Sequence, residues 1–479
     1  MTLYPGNGLP QLSSPHMVWS GCSTPSRQSG DARPRRRRAL RWLAVRGWLV
    51  PLGLWAAGLR AEVAGVPATR LYQLEEIGGT ARNLQLLHDS YGRVAVAQQD
   101  ELFLLNDTSW QTAWRGDGTA LSFNRVVCSP DGEIFFSTFG SWGVIRKSAT
   151  GELSPVPLVP PEAPAWVQSC EFREIYCTGD GVFFWGQDGV VHLDRASGTH
   201  RYFPLGGVSW LFPFAGKFVV STFGAEQFFL DVATGALTPA SLGRDSLPPV
   251  IGSAGDGVSR LLLVLANGDR LVLRDGRLEL VRHAEAGRFP GPVGAMVALA
   301  EGGFALSYVG HGVLLLDHRG EVRRVLDGSD FKGVTALSSH EPGVLWAVNK
   351  RGVLKILHRQ PFSSFGIEQG LSVSWPQVVR WRDRTLVASG GWVFEEYADR
   401  SETGGGFRRL AGQPGYLVWG IVSMGDSLLI GDGAGVHEMT SSGEPKLVLP
   451  GVNVARLVAL DDETVLAIAT DTMVALRRR

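Results

Sequence analysis

The chain has 479 residues, and its 46 Lys and Arg residues balance 46 Asp and Glu residues to give a formal net charge of zero. This balance argues against a nucleic-acid-binding protein, which usually carries a basic excess. With 44% hydrophobic and 19% charged residues, the chain can bury a large core and is not a disordered polymer. Its 61 glycines favour turn-rich β structure over helices.

The first 61 residues are a basic leader with nine arginines and a single acidic residue, Asp31. An arginine cluster is followed by the mostly apolar run 47–59 and then by the small residue Ala61, which is the order of a secretory signal peptide. The run is shorter than the roughly 20 helical residues that span a bilayer. A retained signal anchor and a basic tail remain open alternatives. Without the leader, 37 basic and 45 acidic residues remain, so the body carries a formal charge of −8.

After the leader, one β-rich segment recurs ten times. The ten segments start at Arg93, Glu133, Val182, Lys217, Leu261, Phe304, Val344, Thr385, Ser427 and Thr464, with a mean spacing near 41 residues. Each unit predicts an apolar first strand, a glycine-containing turn, a second strand buried on both faces, a third alternating strand and a more polar fourth segment. Four antiparallel strands in this length make one blade of a β-propeller. The sequence therefore predicts an all-β protein of about ten four-stranded blades.

The units resemble the two-component regulator propeller repeat, which is found in periplasmic sensor regions of bacterial hybrid signalling proteins. The resemblance rests on SFNRVVCSPDGEIFFSTFGSWGVI at 122–145, EPGVLWAVNKRGVLKI at 341–356, GLSVSWPQVV at 370–379 and SLLIGDGAGVHEM from Ser427. It covers the chain from about Leu71 onward. The glycine and tryptophan signatures of WD repeats and the paired glycines of kelch repeats do not occur.

Two arrangements of the ten blades are compatible with the sequence. In the family, the first segment often supplies the outer strand of the last blade. That precedent predicts a seven-bladed propeller at 68–358, followed by three blades of a partial second propeller at 359–479. The alternative is a single ten-bladed ring in which residues 71–75 complete the last blade, so that every sheet edge is paired.

No catalytic or cofactor motif stands out. The chain has no Walker loop, no zinc-protease motif, no nucleophile elbow and no EF-hand loop, and the glycine-rich stretch 431–435 joins two strands rather than a strand and a helix. The ten histidines do not cluster at metal-ligand spacing, and Cys128, Cys170 and Cys177 are interpreted as free thiols. We therefore expect no cofactor, no metal and no catalytic residue, although carboxylates from distant blades could still converge.

Ligands of propellers usually bind at the mouth of the central channel, where loops from several blades meet. Aromatic side chains can stack on sugar rings there, and polar groups can bind the hydroxyls. Packing between blades is the alternative role for each tryptophan, and a turn role is the alternative for Asn124 and Asp188. The candidate ligand-binding residues in these loops are Asn124, Trp142, Trp166, Asp188, Trp210, His311, Trp375 and Trp419.

Together these features predict an exported, periplasmic or extracellular, ligand-binding sensor propeller. The resemblance implies the input module of a bacterial two-component system, with a carbohydrate or other small molecule as ligand and a separate histidine kinase as a possible partner. The acidic body argues against nucleic acid and anionic membranes as partners, and no membrane span is expected beyond the leader. A protein-interaction scaffold and a propeller hydrolase or lyase remain alternative functions.

Overall fold

The structure of the chain is a computed structural model. It describes residues 65–79, 84–89, 91–116, 122–148, 153–179, 181–240, 242, 247–281, 292–360, 363–371, 375–397, 406–410, 417–440 and 444–478. All of them belong to one compact unit, Leu59–Arg479. The predicted leader lies outside the described residues.

Glycine turns and apolar runs produce the strands where the sequence predicts them. The second strand of each of the first seven repeats is buried along most of its length, because sheets pack against both of its faces. Gly132, at φ +97°, allows the tight turn before the second strand of its unit. Gly312 has φ +145°, and a Cβ there would lie 2.3 Å from the carbonyl oxygen of Leu326. A larger residue at Gly312 would therefore separate the third strand from the fourth.

Eight sheets of the described residues are built from four consecutive antiparallel strands each, and the first six of them follow one another directly in the chain. We call these six sheets blades 1 to 6. Blade 1 contains β2 (Gln85–His88), β3 (Val94–Gln98), β4 (Glu101–Asn106) and β5 (Ser109–Arg115), and blade 2 contains β6 (Arg125–Cys128), β7 (Ile134–Thr138), β8 (Ser141–Lys147) and β9 (Leu153–Pro157). Blade 3 contains β10 (Phe172–Cys177), β11 (Gly181–Gly186), β12 (Gly189–Asp194) and β13 (His200–Pro204), and blade 4 contains β14 (Val208–Phe214), β15 (Lys217–Thr222), β16 (Gln227–Leu230) and β17 (Leu237–Pro239). Blade 5 contains β18 (Val250–Gly255), β19 (Leu261–Leu265), β20 (Arg270–Arg274) and β21 (Arg277–Val281), and blade 6 contains β22 (Val293–Ala298), β23 (Phe304–Tyr308), β24 (Gly312–Leu316) and β25 (Val322–Leu326).

Blade 7 takes its fourth strand from the start of the described chain. Its own strands are β26 (Ala336–Ser338), β27 (Val344–Asn349) and β28 (Gly352–Leu357), and β1 (Val66–Gln73) pairs antiparallel with β28. The register places Leu71 opposite Leu354. A short strand, β29 (Ser363–Ser364), extends the same sheet on the far side of β1. This arrangement ties the two ends of the seven-blade series together.

The seven blades close into a ring through their inner strands. The inner strand of blade 1, β2, lies against β6 of blade 2 on one side and against β26 of blade 7 on the other. Seven buried clusters fill the seven seams between neighbouring blades. At the closing seam, Tyr72 of β1 stacks on Trp346, with ring centroids 5.9 Å apart. The seven sheets therefore form a β-propeller.

Three further sheets follow the ring, and we call them the fan. Blade 8 contains β30 (Gln377–Trp381), β31 (Arg384–Ser389), β32 (Trp392–Tyr397) and β33 (Gly406–Arg409); blade 9 contains β34 (Gly420–Met424), β35 (Ser427–Gly431), β36 (Gly435–Met439) and β37 (Lys446–Pro450); blade 10 contains β38 (Val454–Ala459), β39 (Thr464–Ala469) and β40 (Met473–Arg477). Phe365 and Leu371 cover the outer face of blade 8. In β39, burial alternates from residue to residue, because one face of blade 10 packs on blade 9 and the other is more open.

The few helices are short and lie in connections. They are α1 (Leu74–Ile77), α2 (Ala165–Ser169) and a 3-10 turn, Ile367–Gln369. Both α1 and the 3-10 turn end at a left-handed glycine, Gly78 and Gly370. Thus α1 precedes the first blade of the ring, and the 3-10 turn precedes the first blade of the fan, with a similar glycine at the end of each.

The strand pairing contradicts the alternative ten-bladed ring. Residues 71–73 belong to β1, which pairs with β28 of blade 7, and not with β40 of blade 10. The physical reason is that β1 brings Tyr72 and Leu71 into two buried seams of the ring. Division of the chain into separate domains at 68–358 and 359–479 stays a prediction.

Candidate functional site

The central channel of the ring holds a cavity of about 630 Å³. Inner strands from blades 2 to 7 line it, because each blade directs its first strand toward the ring axis. A cavity of this size falls in the range of small-molecule sites in proteins. It is therefore the candidate functional site of the described part of the chain.

An arginine joins three blades at one wall of this cavity. Arg125, the first residue of β6, donates from Nε to the Glu174 carboxylate at 2.6 Å and from Nη1 to Gln85 Oε1 at 3.2 Å. Gln85 comes from blade 1 and Glu174 from blade 3. Charge-assisted bonds of this kind fix the geometry of both partners. The wall therefore presents an oriented ion pair to the cavity.

A second polar group joins blades 3, 4 and 5. Trp210 Nε1 donates to Ser253 Oγ at 2.9 Å, and the Tyr176 hydroxyl lies 3.2 Å from the same oxygen. Burial raises the pKa of Tyr176 well above its usual value. Tyr176 therefore remains a neutral hydroxyl that can donate and accept hydrogen bonds at physiological pH.

The wall from blades 6 and 7 is mainly apolar. Val293, Ala295, Met296 and Val297 of β22 contribute to it, with Leu337 of β26. The cavity thus has a polar, aromatic side and an apolar side. This arrangement suits a ligand that has hydroxyl or amide groups along one edge and a hydrocarbon face along the other.

Two carboxylates, Glu174 and Asp256, also line the cavity. Glu174 is held by Arg125, as described above. Asp256 accepts hydrogen bonds from the backbone N–H groups of Val258, Ser259 and Arg260 and from the Ser259 hydroxyl. Burial acts to raise the pKa of Asp256, but these bonds outweigh it and lower the pKa to about 2. Asp256 is therefore ionised, and the hydrogen bonds that its carboxylate accepts come from its own turn.

Trp210 is the only one of the predicted ligand-binding residues among those that line the cavity. Trp142 is fully buried between blades 2 and 3, where its ring is edge-on to Phe172 at 5.3 Å and stacked on Phe184 at 5.8 Å. Trp166 lies on α2, half-buried beside the same Phe172. These contacts match the packing role for Trp142 and Trp166.

The other predicted residues are dispersed around the chain. Asn124, Asp188 and His311 are half-buried in three different blade connections. Their main chains are hydrogen-bonded: Asn124 N–H to the Ser137 carbonyl, Leu205 N–H to the Asp188 carbonyl, and His311 N–H to the Tyr308 carbonyl. A binding role for these three residues stays a prediction.

Trp375 and Trp419 belong to the fan and not to the ring. Trp375 is 81% exposed and has a left-handed φ of +49°. Trp419 is partly exposed, and its carbonyl accepts a hydrogen bond from Gln377 Nε2. From the sequence, Trp210, Trp375 and Trp419 are equivalent candidates for ligand binding, but of these three only Trp210 lines the channel cavity.

Sequence reasoning missed Arg125, Gln85, Glu174, Tyr176 and Ser253. A weak signal exists, because each is a polar residue within an inner strand that also contains apolar residues. Nothing in one blade indicates which polar residues of the other blades it will meet.

The described residues contain no group of three or more His, Cys, Asp or Glu side chains that could hold a metal ion. In the same part of the chain, no helix has the length and apolar character needed to cross a membrane. Cys128, Cys170 and Cys177 form no disulfide in the described residues, and burial raises the pKa of Cys170 to about 11 and that of Cys177 to about 12.

Solved structures share this fold at low sequence identity. The extracellular domain of a protein named as a hybrid two component system, BT3049 from B. thetaiotaomicron, matches with a TM-score of 0.61 and 12% identity. The match covers 86% of this chain and 60% of that domain, so this chain spans about three fifths of its length. At this identity the likeness shows the fold alone.

Two smaller proteins also match. Virginiamycin B lyase from Staphylococcus aureus has a TM-score of 0.48 at 12% identity, covering 60% of this chain and 99% of the lyase. The WD40 propeller domain of Doa1 has a TM-score of 0.46 at 12% identity, covering 62% of this chain and 98% of that domain. No family model and no curated protein sequence matches the chain.

Proposed function

We propose that this chain is an exported sensor-type β-propeller that binds a small, neutral, hydroxyl-bearing molecule in the central channel of its ring. The observation that carries the proposal is the cavity of about 630 Å³ with the Tyr176–Ser253–Trp210 group on one side and an apolar wall on the other. A ligand with one polar edge and one apolar face, such as a short oligosaccharide, matches both sides.

A role as the input module of a two-component system extends this proposal. Its support is the sequence resemblance to the regulator repeats and the fold shared with an extracellular domain of a hybrid two-component protein. Export is supported by the basic, apolar and small residues of the leader. The partner that would read the ligand is a separate histidine kinase in this proposal.

The experiment is a melting-temperature screen of the chain against pools of neutral oligosaccharides. A ligand that binds only the folded state stabilises it by mass action and so raises the melting temperature. At a ligand concentration 100-fold above Kd, the free energy of unfolding rises by about 2.7 kcal/mol. We expect at least one pool to produce a shift that saturates with concentration. The absence of a shift with every pool would contradict the carbohydrate proposal.

A variant pair connects the shift to the channel. Ser253→Ala removes the oxygen that Trp210 and Tyr176 share, so the orientation of both groups in the cavity is lost. We expect it to reduce the ligand-induced shift. Ser197→Ala, in an exposed outer turn of blade 3, is the matched control and leaves the shift unchanged. Equal shifts for both variants would locate the ligand outside the channel.

A further inference from the structure

Three loops on one face of the ring carry exposed apolar side chains. They connect the second and third strands of blades 2, 4 and 6, and they present Phe139, Phe223 and Val309, which are 65%, 63% and 39% exposed. We call these three residues the apolar loop set. The same connection carries polar residues in the intervening blades 3 and 5, Gln187–Asp188 and Asn267.

The apolar loop set is part of a repeated four-residue pattern. Residues 137–140 and 221–224 both read Ser-Thr-Phe-Gly, and residues 307–310 read Ser-Tyr-Val-Gly. The fold explains the serines, because each hydroxyl bonds to the main chain at the start of, or just before, the inner strand of the next blade. Ser137 donates to the Phe172 carbonyl, Ser221 accepts from the Val250 N–H, and Ser307 donates to the Val334 carbonyl. It does not explain the third residue, which is more than one third exposed in all three loops and belongs to none of the buried clusters of the described ring.

The main chain around the apolar loop set is held in place. Gly140 N–H donates to the Cys170 carbonyl, Phe223 N–H to the Gly207 carbonyl and Val309 N–H to the Pro292 carbonyl, all at 2.9–3.0 Å. The exposed side chains are therefore presented on a fixed backbone. A preorganised surface loses less entropy when it binds a partner.

The described loops beside the apolar loop set are mostly acidic. Because strands alternate in direction, the loops that enter the inner strands share a face with the loops that follow the second strands. On this face, between blades 2 and 5, lie Glu162, Asp188, Glu226 and Asp269, while Arg173 is paired with Glu171 at 2.9 Å. Nearer to Val309, the same face carries Asp327, Asp330, Lys332, Lys350 and Arg351, and Arg351 is paired with Asp330. Single exposed apolar residues are common on proteins, but a repeated set on one acidic face is not explained by chance exposure.

We propose that this face binds a cationic polypeptide segment that also carries apolar side chains. Its apolar side chains contact Phe139, Phe223 and Val309, and its lysines or arginines lie beside the acidic loops. Aromatic anchors supply most of the affinity of such interfaces, and charge complementarity supplies rate and specificity. An anionic membrane surface does not fit the same face, because the acidic loops would repel it.

The test is a titration of the full chain with a fluorescent peptide of alternating lysine and leucine. The Phe139→Ser/Phe223→Ser double variant is compared with Tyr91→Ser, which alters an 85% exposed tyrosine on the opposite face of the ring. We expect the double variant to bind about tenfold or more weakly and Tyr91→Ser to bind as the parent does. We also expect affinity to fall as salt rises. Val309→Ser supplies an independent variant with a smaller loss.

Several results would overturn the proposal. They are no binding of the lysine–leucine peptide, equal binding of a glutamate–leucine peptide, or an equal loss in the Tyr91→Ser control. Binding to uncharged phosphatidylcholine vesicles without binding to the peptide would instead assign the face to a membrane. Unchanged melting temperatures of the variants confirm that a loss of binding is not a loss of fold.

Discussion

Because β1 closes the ring, we expect substitution of Tyr72 to lower the free energy of unfolding more than substitution at most other positions. Tyr72 is 3% exposed, stacks on Trp346 at 5.9 Å and meets Trp110 edge-on at 5.8 Å. The Arg70 guanidinium lies 4.4 Å from the centre of its ring. Tyr72→Ala removes all of these contacts at the seam between blades 7 and 1.

The expected cost follows from these contacts. Replacing a buried aromatic side chain with alanine costs about 3–5 kcal/mol, of which the two ring pairs supply about 0.5–1.5 kcal/mol each. Tyr72→Phe keeps the ring and should cost much less. Tyr91→Ala changes an exposed tyrosine and should cost less than about 0.5 kcal/mol.

The assay is urea unfolding of the three variants and the parent, with tryptophan fluorescence as the readout. We expect the midpoint for Tyr72→Ala to fall clearly below the other three. A midpoint for Tyr72→Ala that matches Tyr91→Ala would refute the closing role of β1. Equal losses for Tyr72→Ala and Tyr72→Phe would instead point to the hydroxyl rather than to the ring contacts.

Three further predictions concern other parts of the chain. Burial, and then the charge of His340, lower the pKa of His88 from 6.5 to about 4. Because the unfolded chain takes up this proton at higher pH than the folded chain does, the free energy of unfolding should fall by up to about 3 kcal/mol as pH drops from 6.5 to 4. His88→Gln should reduce this pH dependence when melting is measured over the same pH range. Leu428→Ala, at a fully buried site in blade 9, should cost about 2–5 kcal/mol, whereas Leu466→Ala, on the more open face of blade 10, should cost less in the same unfolding assay. The raised pKa values of Cys170 and Cys177 predict that a thiol reagent labels them at pH 8 only after unfolding, which mass spectrometry would show.

Much of the blade structure could be predicted from the sequence because it is local. A glycine turn such as Gly132 and an apolar strand such as Ile134–Thr138 lie within one unit, so the repeat reveals both. Closure of the ring is not local. The β1–β28 pair joins segments that are far apart in the chain, and only the family resemblance suggested that a first segment could complete a last blade.

The candidate site could be predicted only in part, for a related reason. Arg125, Glu174, Tyr176, Trp210 and Ser253 come from four different blades, and their meeting depends on how those blades are arranged around the axis. The tryptophans were hard to sort because interblade packing and ligand contact use the same residue. In the structure, Trp142 is fully buried between blades 2 and 3, whereas Trp210 lines the channel cavity.

The central claim is that the channel of the ring binds the ligand. The most direct test is a binding isotherm for the oligosaccharide that gives the largest melting shift, measured on the parent, Trp210→Phe and Trp375→Phe. Trp210→Phe removes the N–H that orients Ser253 and should weaken binding by about fivefold. Trp375→Phe, in the fan, should leave the isotherm unchanged. The opposite pattern, with binding weakened only by Trp375→Phe, would contradict a site in the channel.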